Sequence, residues 1–364
     1  MRTLLLTLCL FLLAGGPTVA AQPAPKAPTQ AELEELWKTG SLWQVGDNIP
    51  RVDAARQALV DAGEAGLAFA LTKLGSSDSL QYRCLEVVFK GFGARALPGL
   101  LERMAHEEVQ VRRNVAALLG AIDDRSVAGQ MVDHLKKEAD LRCKVGHLQT
   151  LARWKEPTAL DPLIECTCVT QSQEPLAERL KVRLVPLLGN FEDNKAIARL
   201  IELLSDEAYF VRDAARDALK QSAAGVVKCR RLVEAIQGGT AEPGAPALPL
   251  LLSVCAASVN RGQQDLFVRA LASPSAEIRA AGARSLRAYL ENVHAALTLR
   301  GKGAEKGQQG PSEEEAAALA EFRAFQKDLA DLKRHLDKQW NQESDPGALA
   351  ARDELWATLE KLLS

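Results

Sequence analysis

Apolar positions along most of the chain recur at helical spacing in units of about 30 residues. In most units a basic residue directly follows an apolar one, and further apolar residues then recur at helical spacing, as in Val111, Val115, Leu118 and Leu119. Such spacing predicts an amphipathic helix. Glycine and aspartate residues mark turns between the units. The pattern therefore predicts a row of helix pairs, each too small to bury its apolar face without a neighbouring pair.

The apolar–basic pair gives the register of this repeat. It occurs as Tyr82-Arg83, Val111-Arg112, Cys143-Lys144, Leu180-Lys181, Val211-Arg212 and Ile278-Arg279. The basic residues are 29, 32, 37, 31 and 67 positions apart, so one copy between the last two has lost its pair. We place that copy at residues 245–260 and a weaker first copy near Ile49-Pro50-Arg51. The sequence thus predicts about eight helix pairs between Thr29 and Arg300.

Four segments of the chain resemble a known family. His106–Gly120, Ser205–Leu219 and Ser273–Leu286 resemble the second helix of a HEAT repeat, and Gly93–Leu101 resembles the first helix of the short bacterial type. The resemblance implies an all-α fold, a right-handed α–α superhelix of the HEAT or armadillo type over residues 29–300. HEAT arrays mostly serve as scaffolds and docking surfaces, and a minority act in chromophore lyases or nucleic-acid enzymes. The resemblance is therefore informative about fold and not about a particular activity.

The N-terminal residues 1–21 have the pattern of a secretory signal peptide. Arg2 supplies a positive charge, residues 4–13 are apolar apart from Thr7, and small residues follow near Ala20. The apolar stretch is too short for a membrane-spanning helix, and no later segment is long enough for one. We expect an exported protein, periplasmic or extracellular, in which residues 22–28 form a proline-rich linker.

The repeat pattern ends near Arg300, and a different organisation follows. Residues 301–311 are rich in glycine and polar side chains and predict a flexible linker. Residues 312–364 predict a helical hairpin whose second helix is capped by Asp345 and begins at Pro346. The apolar seam of its first helix comprises Ala318, Phe322, Phe325, Leu329, Leu332 and Leu336. This hairpin either caps the solenoid or mediates self-association or partner binding as a coiled coil.

Composition and charge narrow the function classes. Apolar residues make up 47% of the 364 residues but aromatic ones only 5%, which disfavours an all-β protein. The apolar content also disfavours disorder. The formal net charge is -2, with 45 basic and 47 acidic residues, so no global charge favours nucleic acid as a partner.

Six cysteines remain after the signal segment: Cys84, Cys143, Cys166, Cys168, Cys229 and Cys255. Cys84 and Cys143 lie at apolar positions of predicted helices, where a cysteine is typically buried as a small hydrophobic residue. Export, in contrast, would permit disulfides. Cys166 and Cys168 lack a second cysteine pair or a nearby histidine, so the spacing does not indicate a zinc site. Burial and disulfide formation stay open as alternatives.

The sequence contains no catalytic signature that we recognise. None of the five histidines belongs to a metal-ligand motif, and no phosphate-binding loop or nucleophile elbow is present. We therefore predict a chain that is not an enzyme and has no cofactor and no metal. The alternative is a cofactor- or chromophore-handling enzyme of the HEAT-like lyase kind.

The predicted function is a protein–protein interaction scaffold in the bacterial envelope or outside the cell. Its partner, of unknown identity, would bind a concave face built from the second helices. The candidate partner-binding residues are Arg83, Arg112, Lys144, Trp154, Lys181, Arg212 and Arg279. The six basic residues would form either a binding stripe or a row of hydrogen bonds to caps and carboxylates of adjacent repeats. Trp154 is either a binding anchor or a side chain buried between repeats.

Overall fold

The computed structural model describes residues 28–169, 177–240, 247–259, 263–304, 313–340 and 343–363. The predicted signal segment 1–21 and residues 22–27 of the predicted linker lie outside this part. Every regular element in the described part is helical. The chain divides into two compact units, of which the first ends at Phe92 and the second begins at Gly93.

The first unit contains two helix pairs. Its helices are α1 (Gln30–Gly40), α2 (Asn48–Asp61), α3 (Gly63–Thr72) and α4 (Ser79–Phe92). Helix α1 starts with a capping box, because Thr29 Oγ1 accepts from the Glu32 backbone N–H while the Glu32 carboxylate accepts from the Thr29 N–H. Asp78 Oδ1 accepts from the N–H groups of Leu80 and Gln81 at 2.9 Å. Short polar side chains thus fix both helix starts.

The second unit continues the alternation of first and second helices. Its elements are α5 (Leu97–Glu102), α6 (Val109–Ile122), α7 (Ala128–Leu135), α8 (Leu141–Arg153), α9 (Leu160–Thr167), α10 (Ala177–Leu188), α11 (Asn194–Leu203), α12 (Tyr209–Gln221), α13 (Ala223–Gln237), α14 (Leu248–Cys255), α15 (Gln264–Leu271), α16 (Ala276–Ala304), α17 (Glu313–Gln339) and α18 (Pro346–Leu363). Short 3-10 turns at Gly93–Ala96, Arg125–Val127 and Pro157–Ala159 precede α5, α7 and α9.

Within the second unit the helices form two layers. Each even-numbered helix from α6 to α16 packs on the next even-numbered one, and the odd-numbered helices lie beside them. Leucines from successive second helices, such as Leu118, Leu148 and Leu184, are fully buried in the core between the layers. The fold is an all-α, HEAT-like helical solenoid, as the sequence predicted. Helices α1 to α16 make eight consecutive pairs in the described residues, which matches the predicted count.

Small residues allow neighbouring second helices to approach closely. A Cβ atom added at Gly120 of α6 would lie 2.2 Å from Thr150 Oγ1 of α8. Gly146 of α8 packs in the same way on Ala116 of α6. The abundance of small aliphatic residues in the sequence is therefore used at helix crossings, where bulky side chains would separate the layers.

The C-terminal hairpin extends the same stack. Helix α16 continues to Ala304, into the predicted linker 301–311, whose remaining residues lie outside the described part. Helix α18 begins at Pro346, and Asp345 Oδ1 accepts from the Ala348 N–H at 2.8 Å, as predicted. Both α17 and α18 pack on α16, and Trp340 Nε1 donates to the Leu271 carbonyl at 3.2 Å. The hairpin thus occupies the position of a further helix pair, while self-association through residues 312–364 stays a prediction.

Candidate functional site

The predicted column of basic residues lies near the starts of the second helices α4, α6, α8, α10, α12 and α16. Three of its arginines make the same pair of contacts to the turn that precedes their own helix. Nη1 of each donates to the carbonyls six and five positions earlier: Arg112 to His106 and Glu107 at 2.8 and 3.1 Å, Arg212 to Asp206 and Glu207 at 2.7 and 2.8 Å, and Arg279 to Ser273 and Pro274 at 3.0 and 2.9 Å. These arginines therefore close the turn within each helix pair.

A second set of contacts joins three of the helix pairs to the pair that follows. The contacts are Arg112 Nε and Nη2 to Glu138 at 2.9 and 3.1 Å, Lys181 Nζ to Asp206 at 2.8 Å, and Arg279 Nε and Nη2 to Glu343 at 2.5 and 2.9 Å. Each carboxylate also accepts a backbone N–H two positions later, from Asp140, Ala208 and Asp345 respectively. We call these three ion pairs the turn staples. The corresponding turns that follow Lys144 and Arg212 lie partly outside the described residues.

The first turn staple is the most deeply buried. The side chain of Glu138 is 1% exposed and that of Arg112 is 16% exposed. Burial alone would raise the pKa of Glu138, but the Arg112 guanidinium and the Asp140 N–H outweigh it and lower the pKa to about 2. The staple thus holds an ionised carboxylate inside the stack. This is the row of intramolecular contacts that the sequence analysis offered as one alternative, and a partner-binding role for these residues stays a prediction.

The other predicted site residues lie in different surroundings. Arg83 is exposed, with its guanidinium 5.8 Å from the centre of the Trp43 ring, and Lys144 is half-buried. Trp154 is 6% exposed, and its Nε1 donates to Asp123 Oδ1 at 2.6 Å. Trp154 therefore fills the space between two helix pairs and leaves little surface for a partner.

The structure reveals a groove that the sequence analysis missed. It has a volume of about 480 Å³ and lies on the second-helix face, between α12, α14 and α16. We call it the second-helix groove. Its lining comprises Tyr209, Arg216 and Lys220 from α12, Pro249, Leu250 and Ser253 from α14, Ala256 and Ala257 directly after α14, and Ala281, Arg284, Ser285, Ala288 and Asn292 from α16. Alanines and serines thus form much of the lining, and the charged side chains come from the two outer helices.

The electrostatics of the second-helix groove are one-sided. Among the described residues that line it there are three cations and no carboxylate. Arg216 binds Asp213 and Asp217 on its own helix at 2.6 and 2.9 Å, whereas Arg284 is exposed. Burial and the neighbouring Arg216 lower the pKa of Lys220. Asp217 also lies 3.9 Å from Lys220, so the two cations of α12 are balanced by two carboxylates of the same helix, whereas the exposed Arg284 on the α16 wall has no ion-pair partner in the described residues.

An aromatic pair lies at the start of α12, beside the groove. Tyr209 and Phe210 are 59% and 63% exposed, with ring centres 5.6 Å apart in an edge-on arrangement. The guanidinium of Arg212 lies 5.8 Å from the centre of the Tyr209 ring. Sequence reasoning passed over the pair because it directly precedes the Val211-Arg212 marker and was absorbed into the apolar repeat. Two adjacent aromatic residues in a chain that is only 5% aromatic were the feature of the sequence that could have identified this pair.

Buried titratable groups cluster near the first turn staple. His147 is fully buried, and neither of its ring nitrogens has a hydrogen-bond partner in the described residues. Its ring centre lies 5.2 Å from that of His134. Burial lowers the pKa of both histidines, that of His147 to about 4. In the part of the chain that the structure describes, no group of three or more His, Cys, Asp and Glu side chains is arranged to hold a metal ion.

Of the two alternatives for the cysteines, burial and disulfide formation, the structure shows burial. Five of the six are buried, Cys168 is exposed, and all six have free thiols. Burial raises the pKa of Cys229 and of Cys255 to about 12, which keeps both in the unreactive thiol form.

Comparison with known proteins gives matches in structure and none in sequence. No family model matches the chain, and no curated protein matches it. One similar solved structure is the complex of CpcE and CpcF of phycocyanin lyase from Nostoc sp. PCC7120, with 19% identity, a TM-score of 0.35, and coverage of 70% of this chain and 92% of that one. Another is human deoxyhypusine hydroxylase in complex with glycerol, with 18% identity, a TM-score of 0.26, and coverage of 72% and 96%.

These matches require one correction. The sequence analysis predicted that the chain is not an enzyme, and that prediction is wrong as it stands, because the solved structures with a similar helical stack are named for a lyase and a hydroxylase. The lack of a catalytic signature is thus no ground for excluding catalysis. In the described residues, no helix is long and apolar enough to cross a membrane. In fold, the chain is a HEAT-like helical repeat protein.

Proposed function

We propose that this protein binds a partner protein through the second-helix face of its second unit, over the second-helix groove. The observation that carries the proposal is the exposed aromatic pair, Tyr209 and Phe210, beside this groove. Exposed adjacent aromatic rings next to a concave surface are typical anchors of protein interfaces, because they bury a large apolar area with little loss of conformational entropy.

The equivalent positions of neighbouring second helices support this proposal. Helix α6 begins with Val109-Gln110, α8 with Leu141-Arg142 and α16 with Ala276-Glu277, so none of these helices presents an aromatic side chain there. The stack does not need aromatic rings at this position. Tyr209 and Phe210 are thus a local addition to a repeated framework, and local additions are where repeat proteins differ in their partners.

Export is part of the proposal. Residues 1–21 have the composition and order of a signal peptide, so the partner would be met in the periplasm or outside the cell. This proposal is supported by the sequence of the N-terminal segment alone.

A small anionic molecule is the second candidate for the groove. Its volume of about 480 Å³ is in the range of ligand pockets, and its cations would suit such a molecule. This candidate retains the cofactor- or chromophore-handling alternative. A molecule that co-purifies with the full chain and is lost in Arg284→Glu would support it over a protein partner.

Site-specific photocrosslinking tests the main proposal. A photoreactive benzophenone amino acid replaces Ala257, which lines the groove, in the protein expressed in its own cells. The matched control carries the same amino acid in place of Arg231, an exposed residue of α13 in the other layer. We expect a discrete protein adduct from position 257 that is absent from position 231 and can be identified by mass spectrometry.

The identified protein must then bind in purified form. Tyr209→Ala and Phe210→Ala should each weaken its affinity by about tenfold or more, since anchor residues at interfaces often contribute that much. Equal affinity of the wild type and both variants, or equal adducts from positions 257 and 231, would contradict the proposal.

A further inference from the structure

We infer that the second-helix groove binds an acidic, extended segment of the partner, with a carboxylate of that segment paired with Arg284. This inference rests on the proposed function and adds the chemical class of the bound segment to it. Three properties of the groove carry it: the charge of its walls, the size of its floor residues, and its length across three helices.

The charge of the walls selects for carboxylates. Arg216 and Lys220 project from α12, and Arg284 projects from α16 on the other side of α14. The carboxylates near them, Asp213 and Asp217, lie on α12 and are not among the lining residues. Because Asp213 and Asp217 pair with Arg216, and Asp217 also lies 3.9 Å from Lys220, the cation left without compensation is Arg284. A neutral or basic segment would desolvate Arg284 without giving it a partner, whereas a glutamate or aspartate side chain would pair with it.

The small size of the floor residues admits a main chain. Ala256, Ala257, Ala281, Ser285 and Ala288 leave room that larger side chains would fill. Ser253 and Ser285 place hydroxyl groups beside this space, where a peptide backbone finds hydrogen-bond partners. The floor thus offers both the space and the hydrogen-bonding groups that a peptide backbone requires.

The length of the groove sets the length of the segment. Packed helices lie roughly 8–10 Å apart, so a groove across α12, α14 and α16 extends over roughly 16–20 Å. An extended chain rises about 3.3 Å per residue, so about six residues cover that distance. The exposed ring of Tyr209 at one end would receive an apolar side chain next to the acidic run.

Three short peptides test this inference on the full-length protein. One alternates glutamate with leucine and carries one phenylalanine, and the other two have glutamine or lysine in place of every glutamate. Binding is followed by fluorescence anisotropy, and hydrogen exchange locates the protected helices. We expect the glutamate peptide to bind about tenfold or more tightly than the glutamine peptide, the lysine peptide not to bind, and protection in α12, α14 and α16.

Charge reversal in the groove provides the matched comparison. Arg284→Glu should weaken binding of the glutamate peptide by about tenfold or more and reduce its dependence on salt. The control Arg231→Glu reverses an exposed arginine on α13 and should leave the affinity unchanged. Circular dichroism of both variants checks that each is folded.

The outcomes separate this inference from the proposed function. If all three peptides bind equally and Tyr209→Ala weakens each of them, the groove binds peptides without regard to charge, and the acidic class is wrong while partner binding stands. If the glutamate peptide does not bind or binds equally to Arg284→Glu, the acidic class is also wrong. Protection outside α12, α14 and α16 would contradict both proposals. A second copy of the chain as the occupant would appear as a dimer lost in Arg284→Glu, and that too would contradict the inference.

Discussion

Two rows of cations run along the second helices of the second unit, and they differ in what they contact. The turn staples contain Arg112, Lys181 and Arg279, whose charged ends bind carboxylates of the next helix pair. The second-helix groove contains Arg216, Lys220 and Arg284, which line an open surface. Arg216 and Lys220 pair with carboxylates of their own helix and Arg284 is exposed, so in the described residues no cation of the groove row binds a carboxylate of the next helix pair.

Position along the helix explains this difference. A cation near the start of a second helix lies within reach of the carbonyls of the preceding turn and of the carboxylate in the next turn. A cation further along the helix is beyond their reach, because each residue adds about 1.5 Å along the helix axis and so carries the side chain away from the turn. Mid-helix cations such as Arg284 are thus available for a partner, whereas those at the helix start stabilise the stack.

Breaking the first turn staple should have the largest effect. Glu138→Ala removes a carboxylate that is 1% exposed and leaves Arg112 half of its contacts inside the stack. We expect the free energy of unfolding to fall by about 3–5 kcal/mol, because loss of one partner leaves a buried charge uncompensated. Urea denaturation followed by circular dichroism measures the change.

An exposed ion pair between neighbouring helices provides the control for this experiment. Lys195 and Asp161 lie 2.8 Å apart with side chains 66% and 68% exposed. Asp161→Ala should cause no measurable loss of stability, since solvent screens such a pair. A similar loss from both substitutions would mean that burial does not distinguish the staples from ordinary surface pairs.

The second largest effect on stability is expected when the pH is lowered, in the region of the first turn staple. His147 is buried without a hydrogen-bond partner in the described residues, and burial lowers its pKa to about 4. The unfolded chain, with a histidine pKa of about 6.5, binds a proton at a higher pH than the folded chain does. The stability contributed by this residue is therefore complete above about pH 6.5 and is lost as the pH falls toward about 4.

The size of this effect follows from the same values. Between about pH 7 and pH 5 we expect His147 to contribute a loss of about 2 kcal/mol, and His147→Leu should lack this contribution. The exposed His335 supplies the control, and His335→Gln should keep the wild-type pH dependence. His134 lies beside His147 and its pKa is lowered as well, so some pH dependence should persist in His147→Leu. An unchanged slope in that variant would show that His147 is not the responsible group.

The smallest effect on stability is expected in the groove. Arg284→Ala should change the free energy of unfolding by no more than about 0.5 kcal/mol, because an exposed side chain without a role in packing contributes little. Arg279→Ala, on the same helix, should be clearly more destabilising since it removes four hydrogen bonds. Equal losses in the two variants, measured by urea denaturation, would remove the distinction between the two rows.

Much of the fold could be predicted from the sequence because repetition multiplies a weak local signal. One apolar–basic pair such as Val111-Arg112 is uninformative, but six of them near a common spacing fix the helix starts and the number of pairs. The start of α18 was predicted just as directly, because Asp345 and Pro346 act through local backbone geometry. The end of α16 was missed by several residues, since glycine and polar residues continued a helix that the pattern alone would have ended near Arg300.

The candidate site was less predictable, because it combines residues that are far apart in the chain. The basic column was visible in the sequence, but its partners Glu138 and Glu343 follow at very different distances, 26 and 64 positions away. The second-helix groove joins Tyr209, Leu250 and Arg284, which share no local motif. Only the packing of three helices brings them to one surface.

The sequence by itself determined that this protein is a row of helix pairs, because helical periodicity, caps and turns act over a few residues and repeat along the chain. The tertiary structure alone decided which cations face inward and which line a groove. That decision depends on which turn lies next to which helix once the pairs are stacked, and on how closely small residues such as Gly120 let the helices approach. Local chemistry specified the elements, and packing specified the surface that a partner would meet.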